Sequence, residues 1–405
     1  MSVNTMTFEQ ISTVLTSIVK QATGQQVLTP TDTRDFVSVA QIALRADRDA
    51  VMNAISNILG RTIFAVRPYS AKLDGLMMDS FRWGNVMRKL SIADSDWEDD
   101  PAFKYPVTYD AGQNPPTGDG LSVDQWKIKK ANVLQTNFYG QSVYSDHITI
   151  TEEQLETAFT GPDELGSFLS MVMTNLSNRL ELSNENIKRG LLANMIGSII
   201  DENQTDRVVH LLTEYNTLTG ITPALDAHTV YQPDNFAPFM KWVYSRVAQI
   251  TDLFTEMSTK FQTVITGKPV LRHTPYQMQR VYLYAPARHD IDARVLADTF
   301  HDNFLRYSDV ETVNFWQSIN TPDSISVNPV YVDNSGVIVT VDAPTTQAGI
   351  FGVIFDRDFA GMTMLDQRMI STPVNASGLY RNLWVHARQR VFMDNTEKGC
   401  VLLLD

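Results

Sequence analysis

Gly349-Ile-Phe-Gly-Val-Ile-Phe-Asp-Arg-Asp-Phe359 opens the part of the chain that decides its fold, and Cys400-Val-Leu-Leu-Leu-Asp405 closes it. Between them lie Gly361-Met-Thr-Met-Leu365 and Leu383-Trp-Val-His-Ala-Arg-Gln-Arg-Val-Phe392. Three of these four runs are apolar or alternating and have the length of strands, and turn-forming residues separate them at 373–378 and 394–399. They predict a buried β-sheet that includes the last residues, where many chains instead end in a frayed tail.

The order of these elements resembles the C-terminal region of tailed-bacteriophage major capsid proteins. It comprises a Gly-rich strand ending in Asp-Arg-Asp, a strand carrying Arg388 and Arg390, an Asp-Asn-Thr-Glu-Lys-Gly turn and a closing Val-Leu-Leu-Leu. The resemblance is strongest over residues 349–405, and the upstream order fits down to about residue 60. It implies an α+β protein with the Hong Kong 97-like capsid fold.

In that fold the chain is divided into five parts. The resemblance implies an N-terminal helical arm at 1–65, an extended β-hairpin loop at 66–150, a peripheral domain with a long spine helix at 151–205, an axial α/β domain at 206–348, and C-terminal strands at 349–405 that return to the peripheral domain.

Apolar residues at helical spacing predict the helices. Two amphipathic helices, the second extending to Gly60, are expected before residue 61, packed on a neighbouring subunit, an assembly partner or the chain's own body. A helix from Pro162 to about residue 202 would be roughly 60 Å long, although two helices broken near Ser183 and Asn184 are an alternative. The predicted elements of the mixed lobe are a helix through 239–257, a strand at 281–286, a helix at 293–304 and a strand at 337–341.

The extended loop is predicted from strand-like alternation at 103–109 and 123–128 around a Gly- and Pro-rich tip at 111–120. An isolated two-stranded ribbon is marginal in water, so it makes physical sense when it lies on another molecule. In the family that it resembles, this segment reaches over an adjacent subunit. The lysines of the returning strand have two interpretations. They either protect the edge of the strand from pairing or complement acidic residues of a neighbouring subunit. The candidate subunit-contact residues are Trp97, Asp99, Asp100, Trp126, Lys127, Lys129 and Lys130.

Composition limits the classes of function. The 405 residues carry a formal net charge of -13, which argues against holding nucleic acid through its phosphates but is compatible with enclosing it. The single cysteine, Cys400, has apolar neighbours and is expected to be a buried hydrophobe, without a disulfide or a zinc site. Neither a membrane span nor a signal peptide is visible, so we expect synthesis and folding in a cytoplasm.

Catalytic and metal-binding motifs are weak. The chain lacks a phosphate-binding Gly-Lys-Ser/Thr loop and a Gly-x-Ser-x-Gly elbow. The acidic run at 94–100 lacks the glycine and closing glutamate of a calcium loop, so we interpret it as a solvated loop. A His/Asp neighbourhood has poor spacing for zinc; its members are His289, Asp290, Asp292, His301 and Asp302. We therefore expect no cofactor, no metal and no enzymatic activity.

The resemblance implies a structural major capsid protein that assembles into an icosahedral head shell around a phage genome. Its expected partners are its own copies in hexamers and pentamers, scaffolding and portal proteins during assembly, and enclosed double-stranded DNA without sequence-specific binding. The expected location is the virion, after assembly in the host bacterial cytoplasm. A bacterial nanocompartment shell of the same fold is the alternative, and a cytosolic α/β enzyme with a scattered site is a weaker one.

Overall fold

The computed structural model is a mixture of helices and sheets, which confirms the predicted α+β class. It describes residues 7–24, 29–46, 50–51, 54, 72–78, 86–93, 126, 132–139, 142–204, 206–287, 289 and 309–405.

Six α-helices have described bounds, one very long and five shorter, and residues 50–51, 54, 285–287 and 289 are also helical. The six helices are α1 (Phe8–Thr23), α2 (Thr33–Ala46), α3 (Glu152–Ala158), α4 (Pro162–Glu202), α5 (Leu211–Thr219) and α6 (Pro233–Thr255). Short 3-10 helices lie at Asp74–Leu76, Thr229–Tyr231 and Tyr276–Met278.

The strands form two larger sheets and three two-stranded pairs. They are β1 (Val86–Ala93), β2 (Asn132–Tyr139), β3 (Ser142–Thr151), β4 (Val208–His210), β5 (Gln279–Tyr284), β6 (Asp309–Val313), β7 (Ile325–Val327), β8 (Val330–Val332), β9 (Ile338–Thr340), β10 (Thr345–Gln347), β11 (Ile350–Asp356), β12 (Ala360–Ser371), β13 (Tyr380–Met393) and β14 (Gly399–Leu403).

The central sheet has the order β4-β14-β11-β5-β6, with β14 and β11 antiparallel in its middle. Alternate residues of these strands face opposite sides. Cys400 and Leu402 pack with α5 and α6, whereas Val401 and Leu403 pack with the second half of α4. Because both faces are covered, the sequence reads as an unbroken apolar run and not as an alternation. The predicted buried C-terminal strands are confirmed.

A second sheet has the antiparallel order β12-β13-β3. The four C-terminal strands therefore divide between two sheets, where the sequence predicted one. The physical reason lies in burial: β11 and β14 are apolar on both faces and need cover on both sides. In β13, buried residues alternate with less buried ones, so this strand suits a sheet with one covered face.

The long helix is confirmed as one continuous element, α4, of 41 residues. Pro162 stands in its first turn, where proline is favoured because that position needs no backbone donor. Asn203 ends it in the left-handed conformation. The alternative break near Ser183 and Asn184 does not occur. The first half of α4 contributes to one apolar core and the second half to another.

The N-terminal helices pack on the chain's own body, which was one of the three options. Their apolar faces join the first half of α4 and the inner side of β3 and β13 in one core. Thr7 caps α1 through the backbone N–H of Gln10. Helix α2 ends at Ala46, and most residues from there to Gly60 lie outside the described part of the chain.

The mixed lobe follows the predictions where it is described. Helix α6 and strands β5 and β9 correspond to the elements predicted at 239–257, 281–286 and 337–341. The helix predicted at 293–304 and the strand predicted at 103–109 lie outside the described residues. Of the strand predicted at 123–128 only Trp126 is described, and it lies in a turn. Among the described residues, no helix is long and apolar enough to cross a membrane.

Candidate functional site

A two-stranded antiparallel ribbon, β1 with β2, leads into the segment where the sequence placed the subunit contacts. Val86 pairs with Tyr139 at one end and Ala93 with Asn132 at the other, so residues 94–131 connect the two strands. We call β1 and β2 together the ribbon. It pairs with no other strand among the described residues.

The two faces of the ribbon differ. Paired residues of an antiparallel ladder point to the same side, which places Leu90, Ile92 and Val133 on the outward face, where all three are exposed. On the inward face, Phe138 contacts Phe392 edge to face at a ring-centroid distance of 5.5 Å. These three side chains form an exposed apolar strip on a face that also carries polar residues such as Arg88.

The predicted subunit-contact residues lie in or near the segment that the ribbon carries. Trp126 is 85% exposed. Trp97, Asp99, Asp100, Lys127, Lys129 and Lys130 lie outside the described residues. Their grouping therefore stays a prediction.

Beneath the inward face lies a buried polar turn, residues 394–398, which we call the hub. All five of its residues are at most 6% exposed. The hub joins β13 to β14 and receives side chains from the ribbon, from the residues around the end of α4 and from the loop after α6. Charged residues are rarely buried unless they are paired, so its partners decide whether it is stable.

Two basic side chains neutralise the two hub carboxylates. Lys89 of β1 lies 2.8 Å from Asp394 and also contacts Glu397. Arg272 contacts Glu397 and donates to the hydroxyl of Thr396 at 3.0 Å. The four charges balance, which satisfies the condition for burying ions.

The surroundings of Lys89 and Asp394 shift the pKa values of both groups so that both stay charged. Burial alone would lower the pKa of Lys89, but the facing carboxylates Asp394 and Glu397 outweigh it and raise that pKa. Burial alone would raise the pKa of Asp394, but Lys89 and hydrogen bonds from Lys89 and Thr396 hold it below its usual range. The charged Lys89–Asp394 pair is therefore favoured by the fold.

Glu397 behaves in the opposite way, because burial outweighs its two basic partners and raises its pKa to about 6. A raised carboxyl pKa gives stability that is present below the unfolded value of about 4.5 and is lost as the pH rises through about 6. Relative to Glu397→Gln, the wild type is expected to lose about 2 kcal/mol of unfolding free energy between those limits. Urea unfolding of both proteins across this range measures the difference, and a constant difference would contradict the raised pKa.

A second part of the hub secures the end of the long helix. Asn395 donates to Glu202 at 2.7 Å and to the hydroxyl of Thr263 at 3.1 Å. Glu202 forms an ion pair with Arg207, which is fully buried and donates to the carbonyl of Gly399 at 3.2 Å. These contacts connect the C-terminal end of α4 to the start of β14.

Lys398 occupies the last hub position with its ammonium inside the protein. It donates to the carbonyl of Glu256 at 2.7 Å and to the hydroxyl of Ser258 at 3.1 Å. Burial lowers its pKa to about 8. The hub therefore also connects to the segment that follows α6.

Cys400 is buried among apolar side chains, as predicted. Burial raises the pKa of its thiol to about 12.

Because the thiolate is the reactive form, a water-soluble maleimide is expected to label Cys400 of the native protein at least about 100-fold more slowly than that of the urea-unfolded protein. Mass spectrometry of the labelled chain measures both rates, and fast labelling of the native protein would contradict the buried position.

The alternative site at the histidines gains no support from the described residues. His289 is exposed, and Asp290, Asp292, His301 and Asp302 lie outside the described part. In the residues that the structure describes, no group of three or more His, Cys, Asp or Glu side chains is arranged to hold a metal ion. The acidic run at 94–100 lies outside them.

The comparisons with known proteins agree with the fold. The model of the Phi29-like phage major capsid protein family matches residues 15–403, so the chain belongs to this family. A capsid structure of Staphylococcus phage Andhra matches with a TM-score of 0.51 and 9% identity, over 84% of this chain and 86% of that one. A structure of the head fiber and inner core protein gp22 of native bacteriophage P68 matches with a TM-score of 0.49 and 10% identity, over 83% and 85%. None of the curated proteins matches the sequence.

The family gives the role of the chain: it is a structural major capsid protein of the virion shell. The capsid fold predicted from the C-terminal strands is confirmed by the Andhra phage capsid structure. The nanocompartment and enzyme alternatives are not favoured, since the matching family is one of phage capsid proteins.

Proposed function

We propose that copies of this chain form rings of five and six subunits that close into an icosahedral head shell. In this proposal residues 94–131, carried by the ribbon, lie on the adjacent subunit. The observation that supports it best is the ribbon itself: it is a two-stranded excursion with an exposed apolar strip at Leu90, Ile92 and Val133. The inward face of the ribbon packs on the body, and in this proposal a neighbouring copy covers the exposed strip on the other face.

Membership in a capsid family supports the remaining parts of the proposal. The shell is assembled in the cytoplasm of a bacterial host with scaffolding and portal proteins, and it encloses double-stranded DNA without reading its sequence. The net charge of -13 suits a wall that does not adhere to its contents. We further propose that the chain has no catalytic role and that its parts follow the five divisions given by the sequence.

Charge reversal tests the contact between copies. Reversing the acidic side (Asp99→Lys, Asp100→Lys) or the basic side (Lys127→Glu, Lys129→Glu, Lys130→Glu) is expected to reduce the yield of particles at least about tenfold, because like charges then meet. A chain carrying all five substitutions restores opposite charges and should recover assembly.

The same variants separate the two roles left open for the lysines. If the lysines only protect a strand edge, the basic-side variant would still assemble or would aggregate. The chain with all five substitutions would then show no recovery of particle yield. Particle yield from sedimentation, with wild type beside each variant, distinguishes these outcomes. Normal assembly of all three variants would overturn the proposed contact.

A further inference from the structure

Side-chain contacts attach the ribbon to the body where the structure describes it. Among the described residues, the ribbon shares no sheet with the body. Its inward face is held by the Phe138–Phe392 ring contact and by polar bonds at Ser91, Asn132 and Lys89. Ser91 accepts from Arg272 at 3.1 Å, and Asn132 donates to a backbone carbonyl at 3.2 Å. Of these contacts, the Lys89 contact joins opposite full charges.

The hub needs the ribbon for its charge balance. When the ribbon is docked, Lys89 and Arg272 face Asp394 and Glu397. If the ribbon moved away, Lys89 would lose both carboxylate partners, and Arg272 alone would face Asp394 and Glu397, which water would then reach. Only the docked orientation keeps the ion pair between Lys89 and the Asp394 side chain, which is 2% exposed there, so the charges favour docking.

The Lys89 contact lies where it affects the position of the segment that the ribbon carries. Lys89 lies near the middle of β1, and Ala93, the last residue before the segment, lies about 24 Å from the base of the ribbon at Val86, at the rise of an extended strand. A rotation of the ribbon about its base displaces Ala93 in proportion to this distance. In the proposed function, the direction of the ribbon therefore decides where the segment starts relative to a neighbouring copy.

We propose that Lys89 is the positioning residue of the ribbon: its ion pair with Asp394 sets the direction in which residues 94–131 leave the body, and thereby controls assembly. The inference rests on the proposed function, because it assigns the ribbon to contacts between copies. Lys89 acts through the ribbon, and its partly buried side chain contacts its own subunit.

The decisive variant removes both charges of the pair, Lys89→Met with Asp394→Asn. It leaves Arg272 opposite Glu397, and the new amide oxygen is able to accept the hydrogen bonds that Thr396 now donates to Asp394. Hydrogen exchange on the unassembled chain is expected to show unchanged protection in β11 and β14 but at least about tenfold faster exchange in the ribbon. Sedimentation is expected to show at least about a tenfold lower yield of particles. The single variant Lys89→Arg keeps the positive charge, so its ribbon exchange and its particle yield should stay close to wild type.

The matched control removes a second ribbon contact outside the hub. Lys268 donates to the carbonyl of Val133 at 3.2 Å at an exposed site. Lys268→Met is expected to change ribbon exchange and particle yield by less than about twofold, because exposed contacts contribute little.

Two results would overturn the proposal. One is a folded double variant whose ribbon exchanges as slowly as wild type, and the other is a double variant with a fast-exchanging ribbon and a full yield of particles. If the double variant loses protection in β11 and β14, the single Lys89→Gln variant, which removes both ion pairs of Lys89 but keeps a hydrogen-bond donor, decides by the same two readouts. A wild-type chain that never assembles would refute the proposed function instead, while the exchange of its ribbon would still measure the role of Lys89.

Discussion

Removing residues 401–405 is expected to abolish folding of the whole chain. Val401, Leu402 and Leu403 are at most 1% exposed, and β14 lies between β4 and β11 in the central sheet. Losing three buried side chains of this size costs about 5–9 kcal/mol, before the lost ladder hydrogen bonds are considered. That cost is comparable with the entire stability of a typical domain, about 5–15 kcal/mol.

Expression of the truncated chain, followed by circular dichroism and thermal melting, checks this expectation. The matched control removes Asp405 alone, whose side chain is 42% exposed and contacts His210 at 2.7 Å. We expect that control to melt close to wild type, because an exposed pair contributes up to about 1 kcal/mol. A soluble truncated chain with the wild-type melting temperature would contradict the central position of β14.

The second large effect is expected at Arg207. Replacing it with leucine leaves Glu202, whose side chain is 6% exposed, without its charged partner. It also removes the donors to Gly399 and Thr263. Breaking a buried pair from one side costs about 3–5 kcal/mol, so Arg207→Leu is expected to lower the unfolding free energy by that amount.

A surface pair provides the control for this measurement. Arg246 contacts Glu214 at 2.8 Å, and both side chains are partly exposed. Arg246→Leu is expected to change stability by less than about 1 kcal/mol. Urea unfolding of the two variants beside wild type gives both values, and equal small losses would show that the Glu202–Arg207 pair does not secure the end of α4.

The elements with strong periodicity were predictable from sequence. The long helix followed from apolar spacing, and β11 and β14 followed from short apolar runs bounded by turns. Their partners were not predictable, because an apolar run indicates that both faces of a strand are covered but not by which elements. The division of the C-terminal strands between two sheets depends on β3 and β5, which lie far away in the sequence.

The hub was predicted only as a turn. Asp394, Glu397 and Lys398 are residue types of exposed turns, and their burial depends on Lys89, Arg272 and backbone carbonyls remote in sequence. One sequence signal was present: the polar turn stands directly between two runs that were both predicted to be buried. β1 was not predicted from the sequence, and neither was the contact between its Lys89 side chain and a hub carboxylate.

Sedimentation velocity of the purified chain, with negative-stain electron microscopy of the fastest fraction, tests whether copies of the chain build a shell. We expect closed hollow particles or flat rings of five and six subunits, with or without an added scaffolding protein. A sharp monomer or dimer at every concentration and salt condition, unchanged when a scaffolding protein is added, would contradict the shell function.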